Sequence, residues 1–456
     1  MKKLLIVSAD NHCGGRCEDY LPYLEPEHHS ALERQIAEER EFLAVERGFG
    51  AASDNALSAV EIIDQRNAIR GGGALGVWDV GRRLGALDDE GIAAEVVNVG
   101  HHLSLTPFFT MLSRPQSREL RSAGARAHHR WFADKMAPGK GRIFGVADPG
   151  GCEDMDAAVR EVRWCADHGF VAMGCPHATE DKDLPALYDP RYFERFWKAC
   201  VDCGLVLSVH FGYNSAQGKF FEFLERIKAN PALGAELAKG TIEDFIKAVQ
   251  NVKVDLRPRQ AFWQLVQGGV FDRYPQMKVV FSEVRSDWLP GTLAYLDERF
   301  KKERGLAKLR PSEYFERHCY VAPSSPRPSE MKQRHEIGID RMLLGVDYPH
   351  VEGTWPNTWD WLRSIFTDFT EQEARKFAGS NAVGLFKLDE AYLTGIAERI
   401  GPEISDIVGS NKRLDPQLLD HFHFRSGYKS PPEVVDRQLL AETVEADFAA
   451  LRRLTV

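Results

Sequence analysis

The chain has 456 residues, 43% of them hydrophobic, which is enough for one large domain with additions and removes any need for disulfide or metal staples to hold a small core. Its net charge of −9 comes from 58 basic and 67 acidic residues without a long Lys/Arg run, which excludes a phosphate-backbone footprint and makes nucleic acid an unexpected partner. No stretch approaches the ~20 apolar residues that cross a bilayer, and the 8 cysteines are too sparse for a disulfide framework, so a soluble, reduced, cytoplasmic protein is expected.

The N-terminal Met1–Val7 combines two lysines with apolar residues, but Asp10, Asn11 and His12 interrupt it before it reaches signal-peptide length. It reads instead as a buried first strand. Short β-rich apolar runs then recur at Leu4–Ala9, Glu95–Val99, Arg142–Val146, Phe170–Met173, Leu205–His210, Lys278–Ser282, Cys319–Ala322 and Met342–Val346. Helical periodicity separates them, around Ala56–Ile69, Ser117–Met136, Met155–His168, Tyr192–Cys203, Gln260–Val270, Leu289–Lys302, Pro328–Glu336 and Trp359–Phe366. Strands that alternate with helices predict parallel β/α units, and this alternation predicts an α/β fold, a (β/α)8 TIM-like barrel.

Two regions exceed a minimal barrel. Residues 211–258 are expected to form a largely helical insertion after the fifth run, carrying Phe220, Phe221, Phe223 and Phe245 and serving as a lid or a subunit contact. Residues 389–456, with a Pro431-Pro432 turn, are expected to form a helical C-terminal extension that packs on the barrel or on a neighbouring subunit, leaving residues 1–388 as the metal-dependent barrel.

Polar, metal-competent side chains stand where the runs end: Asp10 and His12, His210, Glu283, and Asp347. Barrel enzymes keep their chemistry at the C-terminal ends of their strands. Asp10 and His12 are two residues apart, so strand alternation aims both to one side. Each alone has a plainer reading, His210 as a structural histidine and each acid as a helix cap. Cys200-x-x-Cys203 and the Cys13/Cys17 pair read as half-buried core thiols, since no second Cys pair stands at zinc-finger spacing.

Taken together these residues resemble the amidohydrolase superfamily, in the branch of aminocarboxymuconate-semialdehyde decarboxylase and the resorcylate decarboxylases. The resemblance spans roughly residues 3–388 and rests on His12, Ser208-Val209-His210, Phe281-Ser282-Glu283 with Trp288-Leu289-Pro290, and Asp347-Tyr348-Pro349-His350 followed by Thr354-Trp355-Pro356. It implies a barrel metal held by Asp10, His12, His210 and Asp347. Two departures stand out: Asp10 occupies the first position of the family's usual His-x-His, and Glu283 stands where many members have a proton-handling His.

Three functions follow from this set. The first is a mononuclear hydrolase or decarboxylase with zinc or manganese, in which the metal polarises water or substrate, Glu283 or Asp347 moves the proton, and Arg285 anchors a substrate carboxylate or else forms an ion pair. The second is a dinuclear iron or manganese O2-dependent oxygenase, with Glu283 as a further ligand and His101, His102, His177, His350 or Glu61 serving a second metal or the pocket. The third is a non-catalytic partner subunit. Trp288, Trp355, Trp359, Phe211, Tyr213 and Tyr348 suggest a flat small-molecule substrate or, equally, core packing. A homo-oligomer is expected, with a hetero-oligomer of related subunits as the variant.

Overall fold

The computed structural model describes residues 2–52, 60–101, 103–110, 113–139, 141–176, 187, 189–213, 217–233, 256–409 and 413–455. Among these, seven parallel strands form one sheet in sequence order: β1 (Ile6–Cys13), β2 (Ile92–Val99), β3 (Ile143–Ala147), β4 (Phe170–Gly174), β5 (Val206–His210), β6 (Val279–Ser282) and β7 (Cys319–Ala322). Parallel neighbours need a crossover that returns the chain to the same end, and helices supply it here. Examples are Arg118–Lys135, Met155–Ala166, Pro190–Asp202 and Leu289–Phe300. Both faces of the sheet are covered, which is why the strands read as near-continuous apolar runs.

The two faces are distinct. Val7, Val96, Val146, Ala172, Val206, Val280 and Ala322, one from each strand, pack together on the inside of the curled sheet. Leu393, Ile396 and Ala397 of the helix Glu390–Ile400 join this inner cluster, so this helix packs against the sheet. On the outside, Ile6, Val97, Leu207, Val279 and Val321 pack with Trp131, Trp197 and Phe262 of the helical layer.

The eighth apolar run is hydrogen-bonded on both sides without forming a regular strand. Leu343 N–H donates to Val321 O (2.8 Å) and Gly345 N–H to Pro323 O (3.3 Å) on one side. On the other, Ala9 N–H donates to Leu344 O (2.8 Å) and Val346 N–H to Asp10 O (3.2 Å). The segment thus touches both edges of the seven-stranded sheet.

Several predicted helices need correction. Between Ala56 and Ile69, residues 53–59 lie outside the described residues, a helix occupies Val60–Ile63, and the chain then turns. The Asp64 carboxylate accepts from Ile69 N–H and Arg70 N–H, each at 2.9 Å, and such side-chain bonds offer the backbone an alternative to the helix. The Gln260–Val270 helix runs over Leu256–Gln267 and stops before Gly269, whose φ of 64° is open to glycine. Pro328–Glu336 is split into Pro328–Lys332 and Arg334–Ile337. Helices outside every predicted segment include His29–Ala52, Val80–Asp89 and Pro311–His318.

Of the 211–258 insertion, residues 214–216 and 234–255, including Phe245, lie outside the described residues. The helix Lys219–Ala229 is present, with Phe221 and Phe223 buried. Just before it, Gln217 Nε2–H donates to Phe108 O (2.6 Å), and the Arg114 guanidinium lies 4.2 Å from the Phe221 ring centroid. This helix is therefore docked on the loop that follows β2.

Candidate metal centre

A bulge builds the first half of the site. Leu5, Val7 and Ala9 belong to the inner cluster and Ile6 to the outer one, so strict alternation would send Asp10 and His12 outward. The register between β1 and β2 shifts between Ser8 and Asn11, and an added residue of this kind re-aims the side chains beyond it. Asp10 and His12 consequently face inward. Asn11 faces out, where its Nδ2–H donates to the buried Glu95 carboxylate.

β5 delivers His210 from its last position, and Glu283 and Asp347 follow β6 and the eighth apolar run directly. Both acids hold left-handed backbone, φ 54° and 59°, which a residue with a Cβ adopts only where its surroundings enforce it. The five side chains converge. His12 Nε2 lies 3.3 Å from Asp347 Oδ1, 3.7 Å from Glu283 Oε2 and 3.9 Å from Asp10 Oδ1. His210 Nε2 lies 3.1 Å from Glu283 Oε2 and 3.3 Å from Asp10 Oδ1. His350 stacks on His12 at 4.0 Å between ring centroids and brings Nδ1 to 3.0 Å from Asp347 Oδ1.

Neighbouring groups fix the orientation of these side chains. The Nδ1 of His12 pairs with Val99 O (3.4 Å) and that of His210 with Phe211 O (3.0 Å). With Nδ1–H donating to a carbonyl, Nε2 keeps its lone pair toward the other side chains, the usual arrangement behind a metal-ligating imidazole. Asn98, paired with His12 across β1 and β2, donates through Nδ2 to Asp10 Oδ1 at 2.7 Å, and the Ser324 hydroxyl donates to Asp10 Oδ2.

The electrostatics call for a cation. Burial pushes the Glu283 carboxyl up to about 8, and the charge of Asp347 adds to this against the pull of His210 and His12. Burial opposes protonation of His12, yet Asp347, Glu283 and Asp10 lift its pKa well above the ordinary value. His210 is raised by Asp10 and Glu283 against the same desolvation. Glu283, His12 and His210 are thus all pushed toward their protonated forms, the imidazoles by the surrounding carboxylates and Glu283 by burial as well. His12 Nε2 and both Asp347 oxygens are buried with no hydrogen-bond partner, although such atoms almost always find one. A divalent cation would meet this need, and mixed imidazole and carboxylate donors suit zinc, manganese or iron. Two overlapping groups have ligand atoms close enough to share an ion: Asp10, His12, His210 and Glu283, and His12, Glu283, Asp347 and His350.

The other predicted residues lie elsewhere. Glu61 is exposed and apart from both groups. His101 is buried with Nε2 3.3 Å from Gly15 O and Nδ1 accepting from Leu103 N–H at 3.1 Å, so the backbone occupies its ring nitrogens. His102 and His177 lie outside the described residues. Arg285 turns its guanidinium onto Asp287, with contacts of 3.1 and 2.5 Å, and onto Pro431 O at 3.0 Å. That is the ion-pair arrangement, and it takes up the fork that a substrate carboxylate would need.

Trp288 is fully buried, Trp359 Nε1–H donates to Glu90 O (2.7 Å), and Tyr213 donates to Pro176 O (3.1 Å), so these aromatics serve packing. The cysteines are free thiols, and burial pushes Cys13 up to about 12 and Cys200 well above the ordinary range, as inert core residues. A further group, His129, Glu161 and Cys165, is internally satisfied: Glu161 faces His129 Nδ1 at 2.7 Å and takes both Arg130 nitrogens, and His129 Nε2 accepts from Asp148 N–H at 3.0 Å.

Sequence reasoning missed Asn98 and Ser324, the supports of Asp10. The signal for Asn98 was a lone amide inside the apolar run Glu95–Val99. It also missed the fully buried Arg83, which clamps Glu95 and donates through Nη1 to His12 O at 2.7 Å.

A family model described as Amidohydrolase matches residues 108–388. Among solved structures, an amidohydrolase from Mycobacterium avium subsp. paratuberculosis K-10 is similar at 15% identity, over 84% of this chain and 99% of that one, with a TM-score of 0.58. 5-Carboxyvanillate decarboxylase from Novosphingobium aromaticivorans DSM 12444, complexed with manganese and 4-hydroxy-3-methoxy-5-nitrobenzoic acid, is similar at 18% identity, over 84% and 96%, with a TM-score of 0.56. A dihydroxybenzoic acid decarboxylase from Polaromonas sp. JS666, with bound manganese and 2-nitroresorcinol, is similar at 16% identity, over 86% and 99%, with a TM-score of 0.54. At these identities the likeness is one of fold.

Proposed function

Because the chain belongs to the amidohydrolase family, we propose that it is a divalent-metal-dependent enzyme that removes the carboxylate of a small aromatic acid, with hydrolysis of a small organic substrate as the alternative use of the same centre. The observation that carries this reading is that His12 Nε2 and the two Asp347 oxygens are buried without a hydrogen bond, within ion-pair distance of one another and beside Glu283 and Asp10. Decarboxylation ranks ahead of hydrolysis because two manganese-bearing structures of similar fold are decarboxylases of aromatic acids. Manganese or zinc is the expected metal.

Asp10, His12, His210 and Asp347 would hold the ion. Bound there, it supplies a Lewis acid that draws electron density from a substrate oxygen. Glu283 then handles the proton. As the ring–carboxylate bond breaks, CO2 leaves, the bonding pair stays on the ring carbon, and the carboxyl proton of Glu283 is transferred to that carbon. The Glu283 side chain is 13% exposed, so water can return the proton. Asn98 and Ser324 keep Asp10 in place throughout, and His350 does the same for Asp347.

The same reading takes Met342–Val346 as the eighth strand of a closed (β/α)8 barrel, because its backbone bonds to both β1 and β7, and divides the chain into a barrel to residue 388 and an extension beyond it. A dinuclear iron or manganese oxygenase is the second reading, favoured by one observation: His12, Glu283, Asp347 and His350 form a second metal-competent group beside the first. A non-catalytic subunit is disfavoured by the same complete ligand set, since nothing in a decayed site would keep these buried polar groups together.

The experiment is CO2 release from a panel of hydroxylated benzoates by the manganese-loaded protein, with chelated protein and Glu283→Gln as controls. Turnover that both controls abolish supports the proposal. Release that persists after chelation, or O2 consumption in place of CO2 release, refutes it.

A further inference from the structure

The C-terminal extension grips the two loops that carry Glu283 and Asp347. Arg425, on the helix Pro416–Ser426, is 4% exposed. Its Nε–H donates to Val351 O and its Nη2 to Trp355 O at 2.6 Å. Those carbonyls flank the turn that begins at Asp347, where His350 N–H donates to Asp347 O (2.8 Å), Gly353 N–H to His350 O (3.0 Å) and Thr354 N–H to Val346 O (2.9 Å). The helix is seated by Phe422, whose ring lies 4.3 Å from that of Trp361, and by Tyr428, which donates to Ser364 O at 3.3 Å.

A few residues on, the chain meets the other loop. Pro431 O accepts from Arg285 at 3.0 Å, and Glu433 N–H donates to Asp287 Oδ2 at 2.8 Å. The Glu433 carboxylate takes both terminal nitrogens of the buried Arg259, at 2.5 and 2.6 Å. Arg285 and Asp287 follow Glu283 by two and four positions in the chain.

The two loops share a need for such support. Glu283 and Asp347 both hold left-handed backbone, a conformation that costs a residue with a Cβ about 1–3 kcal/mol unless its surroundings enforce it. Arg425 is an unusual means of enforcement, since a charged side chain is buried to hold two neutral carbonyls. Burial pulls its pKa down to about 10, against the favourable charges of Glu352, Asp347 and Glu90, so it stays ionised at neutral pH. A guanidinium reaches two carbonyls with one planar, preorganised group, which a lysine cannot do.

We propose that Arg425–Glu433 is a positioning strap that sets Asp347 for cation binding and holds Glu283 beside it, so that metal affinity and coordination geometry depend on Arg425 and Glu433 although neither is a ligand. The strap lies beyond residue 388, where the family match ends. The inference rests on the metal reading given above.

The test is a Co2+ titration of the chelator-stripped full chain, read from the visible d–d absorption that reports coordination geometry. It compares wild type with Arg425→Met, Arg425→Lys, Glu433→Gln and Leu440→Ala. Leu440 is buried on the terminal helix Arg437–Thr455 and supplies a control for lost stability alone. Arg425→Met is expected to weaken Co2+ binding by about ten-fold to a hundred-fold, as removal of outer support for a metal site does, and to shift the absorption bands. Arg425→Lys should recover part of this, Glu433→Gln should show a smaller loss in the same direction, and Leu440→Ala should lower the melting temperature with no change in affinity. Wild-type affinity and spectrum in Arg425→Met, or an equal affinity loss in Leu440→Ala at matched melting temperature, would overturn the strap. If Arg425→Met does not fold, Glu433→Gln against Leu440→Ala decides in the same way. Absence of Co2+ binding by wild type would instead sink the metal reading itself.

Discussion

Arg83→Met tests whether the buried polar network behind β1 is a supporting element of the site. Arg83 and Glu95 are both fully buried, and the guanidinium spans both Glu95 oxygens while donating to His12 O. Asn11 joins them, its amide donating to Glu95 and its carbonyl accepting from Tyr348 N–H at 2.9 Å. Replacing Arg83 by Met keeps most of the volume and leaves the Glu95 carboxylate buried with only Asn11 as partner. Removing one member of a buried ion pair costs about 3–5 kcal/mol. The second half of the experiment separates this cost from packing: Arg83→Met with Glu95→Leu removes both charges and should recover most of the loss, because an apolar pair of similar size often matches a buried ion pair. Urea unfolding of the two single variants and the double variant, with the coupling taken from the cycle, supplies the number. A loss under about 1 kcal/mol in Arg83→Met, or a double variant no better than the single, would refute the reasoning.

Asn98→Ala removes the amide that holds Asp10 Oδ1, and metal titration should show about ten-fold to a hundred-fold weaker binding with an unchanged circular dichroism spectrum. His421, on the helix that carries Arg425, is held down to about 3 by burial and by the Arg425 charge. The unfolded chain therefore takes up its proton near pH 6.5 while the folded protein does not, so stability falls as pH drops from about 6.5 toward about 3. Denaturation of His421→Leu across that range should give a shallower decline, and a parallel one would count against the assignment. Gly395 in the helix Glu390–Ile400 has open space where a Cβ would sit, so Gly395→Ala should raise stability by about 0.5–1 kcal/mol. A Cβ on Gly124 would lie 2.0 Å from Pro107 O, so Gly124→Ala should lower the melting temperature sharply.

The strands were legible because burial on both faces removes the polar positions that otherwise blur a run, and β6 and β7 begin within one residue of the predicted Lys278 and Cys319. β1 was read only to Ala9 because the polar Asp10, Asn11 and His12 look like its end, whereas the strand continues through them to Cys13. The helix His29–Ala52 escaped for a different reason. Its buried inner positions include Gln35 and Glu39, which hold Thr106 O and the backbone N–H groups of Phe108 and Leu105, so there is no apolar stripe to read. At the site, Asp10, His12, His210, Glu283 and Asp347 were identified by their places at the ends of the runs, and the structure brings all five together. Their supports were not legible: Ser324, Arg83 and Arg425 act through contacts 70 or more positions away in the chain, and local pattern carries no trace of such pairing.

The central claim is that Asp10, His12, His210 and Asp347 hold a divalent cation, with Glu283 beside it to handle the proton. Its most direct test is the metal content of protein purified without added metal, measured by plasma mass spectrometry on wild type, His12→Ala and Glu283→Ala. The account predicts about one zinc or manganese per chain in wild type, lost in His12→Ala and kept in Glu283→Ala. A wild-type protein without metal, or a His12→Ala variant that retains it, would contradict the account, and about two metals including iron, one of them lost with Glu283, would replace it with the dinuclear reading.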